Sequence, residues 1–583
     1  MRALRLALRR VARVARGWDA LSALAVVVIA FGVAQLCAGA LQAGVTVDEP
    51  IHQDRTIAWL NGGWYVPGYW QEDGEPDPET AFSTPYVYGP ATALVGHAAN
   101  VLVGNEPRND VSASAEAYGV RHLTVAMIAL LCVVAVGAAV RFLTGSRAVG
   151  LWAAAGLLAV PRFTGHAFFN LKDIPAATGY TLITVALMYA LYEEPDRPPG
   201  LARRLAIAAA VAAGFVIAAG TRLSLLLPLL GVVVSYGILR VGQRRLGRIV
   251  REKGTDLAVA AGAVLGYLII VALYPKVGLK PIALVGESIG NSADYFYSGH
   301  TLTAGSLLSE HAPFWYLPAW VGGTYPLLLG ALVVLGGVTG LRALARARGA
   351  VWSRRELGFF LVLQQALLLP IAAVVGGGIL YDGLRQHLYI LPALAILAGV
   401  GAGWLLSWAK SSETGNAARP VAVALLSLAL LMPMAAQTLL FPYNYTYVNP
   451  VAAIGGVNDR WETDYWWSSV PEALSHVPRG VKLFCTAELE TPLSDPDYEV
   501  DLDECGGDRF EVGMEERATD VSAGVPTDRS AVWVLGRKRE ASFPPPYCEE
   551  ADSVKRWMWG EEVTMSFVLR CAPRPALAAA ETE

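Results

Sequence analysis

Charge is what this chain has little of. Only 16% of its 583 residues are Asp, Glu, Lys or Arg, where soluble domains carry about a quarter. No aromatic-interleaved basic patch lies outside the short connecting loops, which argues against a nucleic-acid partner. The sequence has no metal-type Cys-x-x-Cys spacing and no internal repeat with a period of about 20–50 residues. It also lacks an inverted pair of broken helices, the pattern many transporters show. The formal net charge of −4 says little, because what matters is where the charges lie.

What fills the chain instead is apolar sequence. Hydrophobic residues make up 54% of it and the mean hydropathy is +0.41. Leu21–Ala43 carries no charge and is long enough to cross a bilayer core of roughly 30 Å. The periodicity predicts a polytopic α-helical membrane protein of about eleven spans, at 19–43, 118–143, 147–165, 174–192, 204–220, 223–240, 257–274, 315–341, 356–376, 388–408 and 420–440. Segment 86–103 is apolar but short and holds Gly, Pro, His and Asn, so it is read as a helix lying in the membrane interface.

The basic residues Arg2, Arg5, Arg9, Arg10, Arg13 and Arg16 precede the first apolar run, as in a signal peptide. That run is longer than a cleavable h-region of about 7–15 residues, so it is expected to stay as a span. Basic residues then recur in alternate loops: Arg141/Arg147, Arg203/Arg204, Arg244–Lys253 and Arg342–Arg355. The positive-inside rule therefore predicts a plasma or inner-membrane protein with a cytoplasmic N-terminus and an extracytoplasmic C-terminus. The expected division is a basic N-terminus (1–18), a transmembrane catalytic module (19–440) and an extracytoplasmic domain (441–583). External loops are expected at 44–117, 162–173, 275–314 and 377–387.

Cys37 and Cys132 fall in spans and read as inert apolar residues. Cys485, Cys505, Cys548 and Cys571 all lie in the tail, where an oxidising compartment suggests two disulfides with three possible pairings, free thiols being the alternative. Strand signals at Val481–Glu488, Ala531–Gly536 and Val563–Arg570 predict a small α/β domain. Asn444-Tyr445-Thr446 is a formal glycosylation sequon inside an aromatic stretch.

Four external segments each place a polar cluster beside a span end. The first holds Asp48, Glu49, His52, Asp54 and Arg55; the second Arg162, His166, Asn170, Lys172 and Asp173. The third is a Gly-Thr-Arg hairpin with Arg222, and the fourth holds Tyr381, Asp382, Arg385, His387 and Tyr389. Each alone reads as a solvated loop, a helix cap or an interfacial anchor. Acids and bases converging at one membrane surface match the constellation of a site. Its chemistry suits a phosphate held at the interface and a hydroxyl whose proton a carboxylate removes.

The Asp48-Glu49 pair, the Asn-Leu-Lys-Asp-Ile-Pro element at 170–175 and the Gly-Thr-Arg hairpin resemble the GT-C membrane glycosyltransferases. The resemblance is to the bacterial relatives of glycosyltransferase family 39, the protein O-mannosyltransferase and lipid A aminoarabinose transferase group. HAPFWYLPAWVGGTYPLLL (311–329), RQHLYILPAL (385–394) and the aromatic stretch 441–469 extend it over roughly residues 20–470. It implies a polyprenyl-phosphate-linked sugar donor entering laterally from the bilayer, an acceptor glycan, lipid or protein, and inversion at the anomeric carbon. Asp48 is implied as the base, with Glu49 and Asp173 orienting the base, the acceptor or a divalent metal ion (Mg, Mn or Ca). Lys172, Arg222, Arg385 and His387 are implied as ligands of the donor phosphate. His52 and Arg55 lie on the face that Asp48 opens, if a helix continues there, and His166 and Asn170 share an i,i+4 relation. One departure is that the Pro-Pro-Leu element common in the family is absent, and Tyr88-Gly89-Pro90 stands near its place. Two other classes compete: a transporter or flippase of a lipid-linked glycan, and a non-catalytic envelope scaffold.

Overall fold

A computed structural model describes residues 20–66, 87–191, 200–245, 254–274, 284–288, 290, 301–308, 312–346, 352–411, 415–476, 483–485, 532–536 and 548–571. In chain order the helices begin with α1 (Ala20–Gln42), α2 (Asp48–Gly62), α3 (Ala91–Val103), α4 (Ala115–Thr144), α5 (Arg147–Leu158) and α6 (Pro161–His166). They continue with α7 (Asp173–Ala190), α8 (Leu201–Ala219), α9 (Leu226–Arg245), α10 (Gly254–Ala272), α11 (Tyr316–Thr324) and α12 (Leu327–Arg346). The last are α13 (Arg354–Val375), α14 (Ile390–Ser411), α15 (Gly415–Leu440) and α16 (Val470–Ser475).

Local chemistry sets many of these boundaries. The Ser114 hydroxyl accepts from Ala117 N–H and opens α4, and Gly145 closes it in the left-handed region at φ 75°. Ser146 then caps α5, and Ser353 with Glu356 forms a capping box at the start of α13. The 1.5 Å rise per residue makes the longer helices fit a bilayer. Among the described residues, 9 helices are long and apolar enough to cross one.

Two of the eleven expected spans, 147–165 and 174–192, are not among these nine. The stretch 147–165 is broken between α5 and α6, where Pro161 starts a new short helix. The stretch 315–341 is likewise divided between α11 and α12 ahead of Pro326. The segment expected at 174–192 is α7, an 18-residue helix buried along almost its whole length. Segment 86–103 yields the helix α3, with Leu102 and Val103 exposed at its end.

The helices pack closely where glycines permit. A Cβ on Gly336 of α12 would lie 1.9 Å from the Leu397 carbonyl oxygen of α14, and one on Gly401 would lie 2.2 Å from that of Leu332. The large residues outside such seams face outward, including Val134, Ile238, Val264 and Val334. An outward apolar surface of this kind suits lipid contact.

After α15 the chain runs as an aromatic strap to α16, burying Tyr445, Tyr447, Tyr465 and Trp466. Asn444, Tyr445 and Thr446 are all inside, so the sequon is not on the surface. Between α10 and α11, β1 (Thr301–Thr303) pairs antiparallel with β2 (Ser306–Leu308); beyond the strap, β3 (Leu483–Cys485), β4 (Val532–Gly536), β5 (Cys548–Met558) and β6 (Glu561–Cys571) form one sheet in the order β3-β4-β6-β5. The three strands expected in the tail are β3, β4 and β6, and the partner β5 was not legible. Cys37 and Cys132 are free, and Cys132 is buried; Cys505 and the N-terminal segment 1–18 lie outside the described residues.

The β5–β6 hairpin is tied to the strap. Arg556 donates to both oxygens of Glu472 at 3.0 and 2.6 Å and to the Phe441 carbonyl at 3.1 Å. Trp559 donates to the Val448 carbonyl, and Thr463 donates to that of Thr564. This hairpin therefore backs the segment whose Trp466 reaches the polar centre described next.

Candidate active site

Asp48 is the first residue of α2, and the i,i+4,i+7 spacing places His52 and Arg55 on its side of that helix. Opposite it, the loop before α7 is built by Asn170. The Asn170 side-chain oxygen accepts from the backbone N–H groups of Lys172 (3.2 Å) and Asp173 (2.9 Å), capping α7. Its amide nitrogen donates to Asp173 Oδ2 at 3.0 Å, and His166 Nδ1 lies 3.1 Å from the same nitrogen. The Asn-Leu-Lys-Asp spacing thus presents Lys172 and Asp173 side by side, with Asp173 in the first turn of α7, where a carboxylate suits the helix dipole.

The elements meet at two carboxylates. Lys172 Nζ lies 2.5 Å from Asp48 Oδ2, and Arg385 Nη1 lies 2.8 Å from the same oxygen. Arg385 also bonds Asp382 Oδ2 at 3.0 Å; Asp382 sits at φ 51°, a left-handed backbone uncommon outside glycine. Arg222 pairs with Asp173 Oδ1. Burial works to raise the Asp48 carboxyl, but the charges of Lys172 and Arg385 overcome it and hold the group well below the usual carboxylate range. Trp466 covers this cluster, its ring 5.4 Å from Lys172 Nζ and 5.2 Å from Arg385 Cζ.

Glu49 does not join. Its Oε2 accepts from Thr46 N–H (2.7 Å) and the Thr46 hydroxyl (2.9 Å), and its Oε1 is 2.6 Å from His122 Nε2. His122 Nδ1 in turn lies 2.9 Å from the Ala40 carbonyl oxygen. One step along α2 turns a side chain by about 100°, which sends Glu49 into the bundle and Asp48 towards the cations. The sequence places Glu49 beside the acceptor or a metal; in the structure its carboxylate lies against Thr46 and His122. His122, in the second turn of α4 beside Arg121, carried no signal that it would receive Glu49.

The donor set does not fit a divalent ion either. Such ions want several free oxygens converging, and here Asp48 and Asp173 face cations while Glu49 faces Thr46 and His122. Among the described residues no group of three or more His, Cys, Asp or Glu side chains is placed to hold a metal.

Of the other expected residues, His52 Nδ1 lies 2.9 Å from the buried Tyr65 hydroxyl, and Arg55 donates to the Tyr65 carbonyl at 3.3 Å. Burial, then Lys172 and Arg55, keep His52 neutral. Arg162 is fully buried, donates to the Tyr447 carbonyl and lies 4.6 Å over the Trp320 ring, away from the cluster. His166 Nε2 is 2.9 Å from the Tyr465 hydroxyl, so it supports the loop from behind. His387 is pushed down to about 3 by burial and by Arg222, so it offers a hydrogen bond rather than charge.

A cavity of about 460 Å³ adjoins the centre. Its polar end is lined by Tyr88, Asp173, Arg222 and His387, and its apolar end by Leu227 and Pro228 of α9 and Leu369 and Ala373 of α13. The cavity is amphipathic, with charge at one end and hydrocarbon between two helices at the other.

No protein-family model and no curated protein matches the chain. Among solved structures it is similar to ArnT from Cupriavidus metallidurans in the apo state, at 13% identity and a TM-score of 0.47, over 95% of this chain and 98% of that one. The same protein bound to undecaprenyl phosphate gives 14% identity and a TM-score of 0.47, over 94% and 98%. The archaeal oligosaccharyltransferase AglB from Archaeoglobus fulgidus, in complex with an inhibitory peptide and a dolichol-phosphate, gives 14% and 0.43, over 72% of this chain and 56% of that one.

Proposed function

We propose that this chain is a GT-C-type membrane glycosyltransferase. In this reading it moves a sugar from a polyprenyl-phosphate donor to an extracytoplasmic acceptor by single displacement, with Asp48 as base. The observation that carries the reading is the sharing of Asp48 between Lys172 and Arg385 beside an amphipathic cavity. A lipid phosphate is the ligand class that matches a cationic end joined to an apolar passage between α9 and α13.

The chemistry follows from those groups. The acceptor hydroxyl oxygen bonds to the anomeric carbon as the carbon–oxygen bond to the donor phosphate breaks, inverting the centre. The hydroxyl proton passes to the Asp48 carboxylate. The leaving polyprenyl phosphate takes up the electron pair, and Lys172, Arg385 and Arg222 offset its added negative charge. Lys172 and Arg385 neutralise the base itself. A donor phosphate that draws these cations away from Asp48 restores the basicity of its carboxylate. No step is assigned to a metal.

The test is genetic and chemical together. Deleting the gene is expected to accumulate a lipid-linked sugar, seen by mass spectrometry, and Asp48→Asn at normal expression is expected not to clear it. Clearance by Asp48→Asn at the wild-type rate would overturn the assignment of the base.

A further inference from the structure

Tyr88 belongs to none of the clusters that the motifs single out, yet three of those clusters point at it. Its ring lies 5.0 Å from Lys172 Nζ, 5.1 Å from Arg55 Cζ and 5.8 Å from Arg222 Cζ. His52 meets the same ring edge-on at 5.4 Å. Three cations drawn together repel one another, and an aromatic face attracts each without neutralising any. A carboxylate in the same place would cancel the charge that an anionic ligand needs.

The backbone holds this ring rigidly. Tyr88 pairs with Arg222 across an antiparallel bridge, Gly89 N–H donates to the Thr221 carbonyl at 2.8 Å, and Leu223 N–H donates to that of Val87 at 3.2 Å. Any side chain at Gly89 would collide with the Gly220 carbonyl, only 2.2 Å from where its Cβ would stand. The Tyr274 hydroxyl donates to the Tyr88 carbonyl at 2.6 Å. The Tyr88 position is therefore set by the fold before any ligand arrives.

Its hydroxyl is different. Among the described residues it makes no hydrogen bond, although the residue is buried and lines the polar end of the cavity with Arg222 and Asp173. A hydroxyl that opens onto the cavity without a protein partner, beside cations, is completed by an acceptor that brings negative charge. Burial would raise the phenol, but Lys172, Arg222 and Arg385 pull it below its ordinary value, which makes the O–H a stronger donor.

We propose that Tyr88 is a further ligand of the donor's phosphate group, its hydroxyl donating a hydrogen bond to a phosphate oxygen while its ring sets the spacing of Lys172, Arg55 and Arg222. The proposal rests on the donor reading above and names a residue that reading does not use.

The experiment measures undecaprenyl phosphate binding to the detergent-solubilised full chain, wild type against Tyr88→Phe, with inorganic phosphate as competitor. Phenylalanine keeps the ring and removes only the hydroxyl, and equal melting temperatures of the two proteins establish that the fold is retained. The expected result is an affinity for undecaprenyl phosphate at least about tenfold weaker in Tyr88→Phe, the size of a lost hydrogen bond to a charged group. Inorganic phosphate is expected to compete less well with that variant by a similar factor. Equal affinity in the two proteins overturns the role of Tyr88 and leaves the donor reading standing. A weaker lipid affinity with unchanged phosphate competition also overturns it, because the hydroxyl then touches the lipid rather than the phosphate. No binding by the wild type overturns the donor reading itself.

Discussion

Asp48 and Arg385 are 337 positions apart in the chain and meet at 2.8 Å. Lys172 reaches the same carboxylate oxygen at 2.5 Å. A carboxylate thus stands between two cations that suit a phosphate. The proposed donor and the proposed base compete for the same two side chains.

That competition gives Asp48→Asn an opposite effect on two steps. Transfer is expected to fall about 10²–10⁴-fold, the usual contribution of a positioned base. Undecaprenyl phosphate is expected to bind more tightly than to wild type, by roughly tenfold, since charged pairs of this kind carry about 1.5 kcal/mol or more. Isothermal titration in detergent reads the affinity, and a weaker affinity than wild type would contradict the exchange of partners.

The pH dependence has a definite sign. Lys172 and Arg385 depress the Asp48 carboxyl against the upward push of burial. A carboxylate with a depressed value stays ionised above it, and its contribution is lost only as pH falls through that value. Lys172→Met removes one of the two cations, so Asp48 takes up its proton at a higher pH. The acid limb of the rate–pH profile is expected to move up by about one unit or more. A limb that stays in place would detach Lys172 from Asp48.

Glu49→Ala is expected to act on the fold. Its carboxylate and His122 are both buried at a 2.6 Å contact, and leaving a buried hydrogen-bonding partner unsatisfied costs about 1–3 kcal/mol. Thermal unfolding in detergent checks this, with residual transfer tracking the folded fraction. Full stability with lost transfer would instead return Glu49 to the chemistry.

Chelation separates the proposed cationic mechanism from a metal-assisted one. With Asp48, Asp173 and Glu49 all engaged by other groups, transfer in EDTA is expected to stay within about twofold of its untreated rate, since among the described residues no converging oxygen set is there to lose an ion. A loss restored by added Mg, Mn or Ca would falsify that expectation.

The tail offers a covalent test. The register of β5 and β6 sets Cys548 opposite Cys571, and directly opposed strand positions have Cα atoms within disulfide range. Of the three pairings compatible with the sequence, Cys548–Cys571 with Cys485–Cys505 is expected. Peptide mapping of the non-reduced protein checks it, and a Cys548–Cys485 peptide would refute the register.

Much of this was readable from residues alone, and the reason is that local rules govern it. Apolar runs too long for a soluble core announce spans, and paired charges at span ends announce a surface where they are tolerated. Asn170, Lys172 and Asp173 work as one short element because capping acts within a few residues, so their spacing already carried their geometry.

Partner choice among groups far apart belonged to the packing. Asp48 and Glu49 are neighbours of one chemical type, and nothing local tells which meets Lys172 and which meets His122; the rotation of α2 against α4 and α7 decides it. The partners of Tyr88 and Trp466 depended on packing for the same reason, since an aromatic ring acquires its meaning from the cations that surround it. Spacing along the chain determined which groups this protein has to work with, and long-range contacts alone determined which of them stand face to face.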